Sequence, residues 1–168
     1  MNDEITLRAM EPEDLDLLYK IENDQLLWNV GNTNVPYSRY VLHDYIANAT
    51  GDIYTDQQVR LIVENEKGST VGVADLMNFD AKNLRAEVGI VIVREYRRQG
   101  YALAVLEKMA QYALHVLHLH QLYAVVDMNN AASLELFRKA GYQKVSELHD
   151  WLYDGKNYHS ALLMQIFL

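Results

Sequence analysis

The sequence predicts an α+β fold, with one mixed, mostly antiparallel sheet flanked by helices. Strand-like runs are joined by short turns, and the second half of the chain changes to helical periodicity. In addition, Asp154-Gly155 separates the strand-like residues 145–153 from residues 158–167, and Asp-Gly in such a position is a strong hairpin signal. With 168 residues, half of them apolar, we expect a single domain over residues 1–168.

The N-terminal third predicts a strand, a helix, a loop and a second helix. Residues 5–10 are the predicted strand. The first helix is predicted to start at Pro12, because the missing N–H of proline would have no partner in a first helical turn. Residues 29–38 have loop composition, and the second helix is expected from Tyr40 to about Gly51.

The middle of the chain has the composition of paired strands. Residues 59–64 and 70–79 are predicted to be strands joined by a turn at Lys67-Gly68. Residues 86–93 are predicted to form a further strand. These three segments would form the centre of the sheet.

After Gly100, apolar residues recur at spacings of three and four, which predicts a long helix packed on the sheet. Residues 122–126 form a short apolar run, and we expect a strand buried on both faces. Residues 130–140 are predicted to form a helix, since Gly141 is the usual residue just beyond a helix end.

Charge and composition argue against several classes of function. The net charge of -8 is unlike that of nucleic-acid-binding proteins, which carry a basic face. A negative surface would concentrate cationic amines, although it also simply keeps a protein soluble. The chain contains no cysteine, which excludes thiolate nucleophiles and cysteine-ligated zinc. Because the N-terminus is acidic and no apolar run has membrane-spanning length, we expect a soluble cytoplasmic protein without a membrane partner.

The segment from Arg97 to Ala102 has the features of a phosphate-binding loop. It connects a predicted strand to a predicted helix, and the N–H groups at a helix start have no partner within the helix. Together with the positive end of the helix dipole they bind phosphate or pyrophosphate. Gly100 permits close approach of a ligand, and Arg97 and Arg98 add positive charge. One glycine is a weak signal, so a basic helix start without a ligand is the alternative.

Two motifs in this order resemble the signatures of the GCN5-related N-acetyltransferase superfamily. Residues 97–102 have the form Arg-x-x-Gly-x-Ala, and residues 130–142 have Asn-x-x-Ser, an aromatic residue and then Lys-x-Gly-aromatic. The resemblance extends over nearly the whole chain. Through residues 22–24 and 35–38, the N-terminal half is similar to the branch that contains bacterial spermidine/diamine acetyltransferases and ribosomal-protein Nα-acetyltransferases.

The resemblance implies transfer of an acetyl group from acetyl-coenzyme A to a primary amine by direct attack. The amine would be a polyamine or diamine, another small amine, or a protein N-terminus, and no metal cofactor is expected. The resemblance also implies that the acetyl-pantetheine arm contacts the backbone of the strand at residues 90–92, that the loop holds the pyrophosphate, and that the helix predicted at residues 130–140 contacts the cofactor. The implied residues are Ile90, Val91 and Ile92; Arg97, Arg98, Gln99, Gly100, Tyr101, Ala102 and Leu103; and Asn130, Ser133, Phe137 and Lys139.

Amide formation requires a neutral amine, whereas an alkyl amine titrates near ~10, so a carboxylate is needed to accept a proton. Glu87 is the best candidate, because it lies in an otherwise apolar strand and shares a face with Gly89 and Val91. Relatives place a functional glutamate at this point. The alternative is a structural ion pair with Arg85 or another base at the sheet surface. Asp127 is a second candidate, although a turn role suits it better.

Phe137 is the main departure from the family pattern. The family has a tyrosine there as the acid that protonates the departing thiolate, and phenylalanine has no hydroxyl. Water or another tyrosine would have to replace it, and the candidates are Tyr101, Tyr123 and Tyr142. Because coenzyme A thiolate is a tolerable leaving group, turnover need not be abolished.

Three further groups of residues have two interpretations each. A histidine cluster forms either a metal site or, more simply, a surface feature at a helix end. Four aromatic residues line an acceptor cleft or pack between helices. Four acidic residues recognise a polyamine or form a solvated face. The groups are His115, His118 and His120; Trp28, Tyr37, Tyr40 and Tyr45; and Glu22, Asp24, Asp44 and Asp52.

A non-catalytic acyl-coenzyme A-binding module is the alternative from another functional class. Phe137 favours this alternative, and Glu87 argues against it. Sheet-edge pairing through the C-terminal hairpin would also allow a homodimer.

Overall fold

The computed structural model describes residues 5–28 and 35–168. This part of the chain forms seven strands and six α-helices. The strands are β1 (Thr6–Ala9), β2 (Val59–Glu64), β3 (Thr70–Asp80), β4 (Arg85–Ile92), β5 (Gln121–Asp127), β6 (Gln143–Tyr153) and β7 (Tyr158–Phe167). The helices are α1 (Leu15–Glu22), α2 (Gln25–Trp28), α3 (Arg39–Asn48), α4 (Ile53–Asp56), α5 (Tyr101–His115) and α6 (Ala131–Lys139), with single 3₁₀ turns at Pro12–Asp14 and Arg94–Tyr96.

The strands form one sheet in the order β1-β2-β3-β4-β5-β7-β6. Every neighbouring pair is antiparallel except β4 and β5, which run parallel. The long helix α5 connects these two strands, as a parallel pair requires. The predicted mixed, mostly antiparallel sheet is therefore confirmed.

Helices cover both faces of the sheet. On one face α5 and α6 pack on the strands, and Val105 and Met109 of α5 are fully buried there. On the other face Leu18 of α1 and Leu42 of α3 pack against Ile62 of β2. Burial of each such side chain stabilises the fold by roughly 1.5–3 kcal/mol. The sheet is therefore held between these two helical layers.

The turns lie where short-range sequence signals predicted them. In the last hairpin, the carboxylate of Asp154 accepts hydrogen bonds from the N–H groups of Lys156 and Asn157, both at 2.8 Å. The helix predicted from Pro12 begins with the 3₁₀ turn and becomes α-helical at Leu15.

The structure differs from the predicted fold in the exposure of β5 and in two additional short helices. The prediction that β5 is buried on both faces was wrong: alternate residues are buried against the helices, whereas Tyr123, Val125 and Asp127 are partly exposed. The reason is that this face of β5 borders a cavity, which these three residues line. The short helices α2 and α4 were not predicted. Of the predicted loop, residues 29–34 lie outside the described residues.

No helix in the described residues combines the length and the apolar character that a membrane crossing requires.

Candidate active site

The candidate site lies where the two parallel strands separate. β4 and β5 pair at three positions, from Arg85 opposite Gln121 to Glu87 opposite Tyr123. Beyond this point β4 stays paired with β3, and β5 stays paired with β7. Within residues 5–28 and 35–168, the facing edges of β4 and β5 therefore lack ladder partners beyond this point, and their backbone polar groups are available to a ligand. We call this opening between the strands the fork.

A cavity of about 680 Å³ occupies the fork and extends across the sheet. This volume is typical of small-molecule sites. Its walls come from strands β2 to β6 and from helices α1, α2 and α6. Among the described residues, the charged side chains lining it are those of Glu22, Asp75, Glu87, Asp127 and Arg60. Carboxylates thus outnumber cations in the lining.

The loop between β4 and α5 presents a row of free backbone donors. Within the described part of the chain, the N–H groups of residues 98–102 have no acceptor, and intrahelical bonding starts with Leu103 N–H to Gly100 C=O at 3.1 Å. Arg98 and Gly100 both have positive φ, 61° and 89°. Left-handed residues in such a loop turn successive N–H groups toward one concave side, which is the geometry of an anion-binding nest. The loop therefore has the form that a pyrophosphate requires.

The side chains of this loop do separate tasks. Arg97 donates from Nε to the carbonyl of Ile92 at 2.9 Å, which ties the loop to the end of β4. Arg98 and Gln99 are exposed, whereas Tyr101 is buried and packs edge-on against Tyr96 at 6.1 Å. Ala102 and Leu103 are half-buried at the start of α5.

On β4, the structure separates the three residues that the sequence had grouped. Ile90 and Val91 line the cavity, but Ile92 is buried in the core that α5 covers. Ile90 and Ile92 are two positions apart, so their side chains share the sheet face that α5 covers, whereas the side chain of Val91 lies on the face that α1 and α3 cover.

The start of α6 lies at the opposite wall of the fork. The Asn130 side chain accepts a hydrogen bond from Ser133 N–H at 3.1 Å and so caps the helix, and both residues line the cavity. Phe137 also lines it, one turn further along. Lys139 does not line the cavity, and its ammonium lies 3.7 Å from the carboxylate of Glu135.

Glu87 stands at the closed end of the fork. Its carboxylate accepts a hydrogen bond from Asn78 Nδ2 at 2.7 Å, and it is half-exposed in the cavity wall. In the described residues, Glu87 forms no ion pair with Arg85 or another base, and Arg85 binds Asp80 at 3.0 Å instead. Glu87 is thus placed as a proton acceptor would be, in contact with a neutral amide rather than with a cation.

Asp127 has the turn-forming role that the sequence favoured over the role of a base. Its carboxylate accepts a hydrogen bond from Asn129 N–H at 2.8 Å, and its carbonyl accepts one from Asn130 N–H at 2.9 Å. These bonds shape the turn from β5 into α6, and the side chain still borders the cavity.

Sequence reasoning missed an ion cluster in the cavity wall. Arg60 donates to both oxygens of Asp75, at 2.7 and 3.0 Å, and also to Glu22. Burial opposes the charge on Arg60, but the two carboxylates raise its pKa above the ordinary value. A signal existed: positions equidistant from the predicted turn at Lys67-Gly68 face each other, which places Arg60 opposite Asp75.

The three tyrosines that were candidates for the missing acid lie in different environments. Tyr101 and Tyr142 are buried in the core between the sheet and the helices. Tyr142 packs edge-on against Phe137 at 5.0 Å, and burial raises its pKa. Tyr123 is the one of these three that lines the cavity.

The other candidate groups are only partly at the cavity. Trp28 lines it and donates from Nε1 to the carbonyl of Glu22 at 2.9 Å, whereas Tyr37, Tyr40 and Tyr45 do not line it. Of the acidic residues, Glu22 lines the cavity, and the others lie outside its wall. In the described residues, no three histidine, aspartate or glutamate side chains are arranged so that they could hold a metal ion. The histidine cluster is therefore not a metal site in this structure.

Comparison with known proteins agrees with this architecture. Residues 4–143 match the acetyltransferase (GNAT) domain model. The spermidine N(1)-acetyltransferase of Escherichia coli K12 is 29% identical over 168 residues, which cover 97% of this chain and 86% of the relative. The putative ribosomal N-acetyltransferase YdaF of Bacillus subtilis is 28% identical, with 96% and 90% covered.

Solved structures show the same fold. The crystal structure of spermidine N-acetyltransferase from Vibrio cholerae in complex with CoA and spermine aligns with a TM-score of 0.84 at 23% identity, covering 97% of this chain and 95% of that chain. A dodecameric structure of the Vibrio cholerae enzyme aligns with a TM-score of 0.81 at 23% identity, covering 97% and 93%. The chain belongs to the GNAT acetyltransferase family, and it is an acetyltransferase homologous to the spermidine N-acetyltransferases.

Proposed function

We propose that this chain acts as one N-acetyltransferase domain, moving an acetyl group from acetyl-coenzyme A to a primary amine, and that small amines with more than one positive charge are its preferred acceptors. One observation carries the proposal: the fork joins a row of free backbone donors at residues 98–102 to a cavity lined mainly by carboxylates. We call these parts the cosubstrate side and the acceptor side of the fork.

The cosubstrate side fits a pyrophosphate ester. Five successive N–H groups without acceptors, at the positive end of a 15-residue helix, complement a doubly charged anion. The unpaired edge of β4 along Ile90 and Val91 offers backbone groups to an extended amide chain such as pantetheine. Asn130 and Ser133 border the same opening from the other wall. Acetyl-coenzyme A would supply the acetyl group there as a thioester.

The acceptor side fits a cation. Its lining holds the carboxylates of Glu22, Asp75, Glu87 and Asp127 against the single guanidinium of Arg60. With Arg60 held by two of these carboxylates, the side chains of Glu87 and Asp127 add uncompensated negative charge to the wall. Such a wall favours ammonium groups over neutral or anionic acceptors. A peptide N-terminus has the same reactive group, but it carries one positive charge.

Glu87 would accept the proton that an alkylammonium must lose before it attacks. Its hydrogen bond from Asn78 leaves other lone pairs of the carboxylate free to receive a proton, directly or through water. A base at this point would lie at the closed end of the fork, between the two sides.

The alternative that Phe137 raised, a non-catalytic acyl-coenzyme A-binding module, is disfavoured by the acetyltransferase family match over residues 4–143. It predicts binding of acetyl-coenzyme A without release of free thiol in the presence of any amine.

The test is a thiol-release assay with acetyl-coenzyme A and pairs of acceptors matched in size. The most informative pair is 1,4-diaminobutane and 1-aminobutane, which share a chain length and differ in the second cation. We expect the diamine to have a Michaelis constant at least about tenfold lower, and the difference to shrink with added salt. Peptides with a free N-terminus form a third arm.

Three results would contradict the proposal in different ways. Equal Michaelis constants for the two amines would remove the preference for multiple charges. Faster turnover with peptides would favour a protein N-terminus as the acceptor. No thiol release with any amine, from a chain whose melting temperature rises with acetyl-coenzyme A, would support the binding module.

The chain is also proposed to form a homodimer. β6 is the outer strand of the sheet on the C-terminal side, and its exposed residues include Val145, Trp151 and Tyr153. An exposed edge with apolar residues is suited to pairing with a second copy.

A further inference from the structure

The departing sulfur of the proposed reaction needs a proton, and the cavity wall contains a hydroxyl that could supply it. Phe137 cannot do so, since it has no hydroxyl. Tyr101 and Tyr142 cannot reach a ligand in the cavity without rearrangement, because both are buried in the core under the sheet. Tyr123 on β5 lines the cavity and is half-exposed.

The position of Tyr123 is set by the geometry of the fork. It is paired with Glu87 at the last position before β4 and β5 separate. Neighbouring residues in register on adjacent strands point to the same face of a sheet, so the phenol and the carboxylate both face the cavity. An extended ligand that enters the fork between the strands ends at this pair. The two side chains are therefore together where the reacting end of such a ligand would lie.

The hydroxyl of Tyr123 is also available. In residues 5–28 and 35–168, it has no hydrogen-bond partner. Burial raises the pKa of Tyr123, and the nearby charge of Glu87 raises it further. The phenol therefore keeps its proton at neutral pH and is a donor rather than an acceptor.

We propose that Tyr123 donates the proton to the departing thiol sulfur and that Glu87 restores the proton to Tyr123, so that the pair replaces the hydroxyl missing at Phe137. This inference rests on the proposed acetyl transfer. Glu87 first accepts a proton from the alkylammonium. The C–N bond forms and the C–S bond breaks, while the sulfur receives the phenolic proton. Glu87 then passes its proton to the phenolate, and the second proton of the nitrogen leaves to water.

The first test compares Tyr123→Phe with a matched control, Tyr112→Phe. Tyr112 is a partly buried tyrosine on α5 that does not line the cavity. We expect Tyr123→Phe to lower kcat by about 10²-fold, the lower end of the range for acid–base catalysis, and to leave the Michaelis constant of the amine within about twofold. Tyr112→Phe should leave both constants unchanged. Melting temperatures of both variants check that they are folded.

The second test restores a hydroxyl on the other wall of the fork. Phe137→Tyr in the Tyr123→Phe background should recover most of the lost kcat, because position 137 lines the same cavity. Phe137→Tyr alone supplies the reference kcat against which the double variant is compared. A structural role for Tyr123 would not allow rescue from a residue on another element.

A third test needs no turnover. Calorimetric titration compares coenzyme A with desulfo-coenzyme A, which lacks the sulfur. If Tyr123 contacts the sulfur, Tyr123→Phe should weaken binding of coenzyme A by a few-fold and leave binding of desulfo-coenzyme A unchanged.

The possible outcomes separate this inference from the proposed function. If the wild-type chain transfers acetyl groups and Tyr123→Phe keeps its kcat within twofold, the inference is overturned and the function stands. If the wild-type chain transfers none, the proposed function fails, and the titration still decides whether Tyr123 contacts the sulfur. If Tyr123→Phe weakens binding of coenzyme A and desulfo-coenzyme A equally, or weakens neither, Tyr123 does not contact the sulfur.

Discussion

On the cosubstrate side of the fork, the polar groups come from one stretch of backbone, residues 98–102, whereas on the acceptor side they come from side chains on α1 and on strands β2 to β5. The first side needs a loop of the right φ values at a helix start, and Gly100 at φ 89° is the residue that this requires. The second side needs a particular strand register and partners for each buried charge.

This difference has a consequence for mutation. Anion binding by backbone N–H groups is unaffected by most side-chain substitutions. It is weakened by a substitution that changes the φ angles of the loop or places a negative charge among the N–H groups. A cluster of side chains fails when one member is removed, because its partners are left as uncompensated buried charges. The two sides of the fork are therefore expected to respond differently to matched substitutions, and three predictions test this.

The largest effect is expected for Glu87→Gln, where the two sides meet. The variant keeps size and hydrogen-bonding capacity but removes the base, so turnover at neutral pH should fall ~10²–10⁴-fold with acetyl-coenzyme A binding intact. The loss should shrink as pH rises, because more of the amine is then already neutral. Steady-state constants against pH measure this. Glu66→Gln, in the exposed turn between β2 and β3, is the control. A turnover ratio near one at every pH would rule out the base.

The acceptor side is tested by Arg60→Met against Lys20→Met. The side chains of Arg60, Glu22 and Asp75 are 14–18% exposed, whereas Lys20 and Glu95 form an ion pair with both side chains 62% exposed. Arg60→Met removes the guanidinium that binds two largely buried carboxylates, and it should destabilise the fold by roughly 3 kcal/mol.

For Lys20→Met, the expected loss is at most about 1 kcal/mol, since exposed ion pairs contribute little. Urea unfolding at neutral pH measures both. Equal losses in the two variants would mean that the cluster is hydrated and does not hold the acceptor side together.

The cosubstrate side is tested by Gly100→Asp against Gly68→Asp. Both glycines have positive φ, 89° and 73°, so the two variants bear similar backbone strain. Only Gly100 lies among the free donors of residues 98–102.

Gly100→Asp should reduce affinity for acetyl-coenzyme A at least about tenfold, because its carboxylate would compete with the pyrophosphate for the helix start. Gly68→Asp should leave the affinity unchanged. The ligand-induced rise in melting temperature reports it. If both folded variants keep the full rise, the pyrophosphate does not bind at this loop.

Much of the fold followed from short-range patterns. The hairpin at Asp154-Gly155 and the turn at Lys67-Gly68 formed where local chemistry predicted them. The loop before α5 is of the same kind, because a strand, a left-handed glycine and a helix start are adjacent in the chain. Family membership could be inferred for the same reason: its motifs are contiguous.

The rest depended on contacts between distant residues. The sequence by itself determined that residues 98–102 would present backbone donors, since these groups are set by neighbouring φ values and by a helix that starts beside them. Only the tertiary structure decided that Glu87 binds Asn78 rather than Arg85, and that Tyr123 faces a cavity. Both outcomes depend on how β4 pairs with β3 and β5, and β4 and β5 come together from segments that are far apart in the sequence, so no local pattern could predict them.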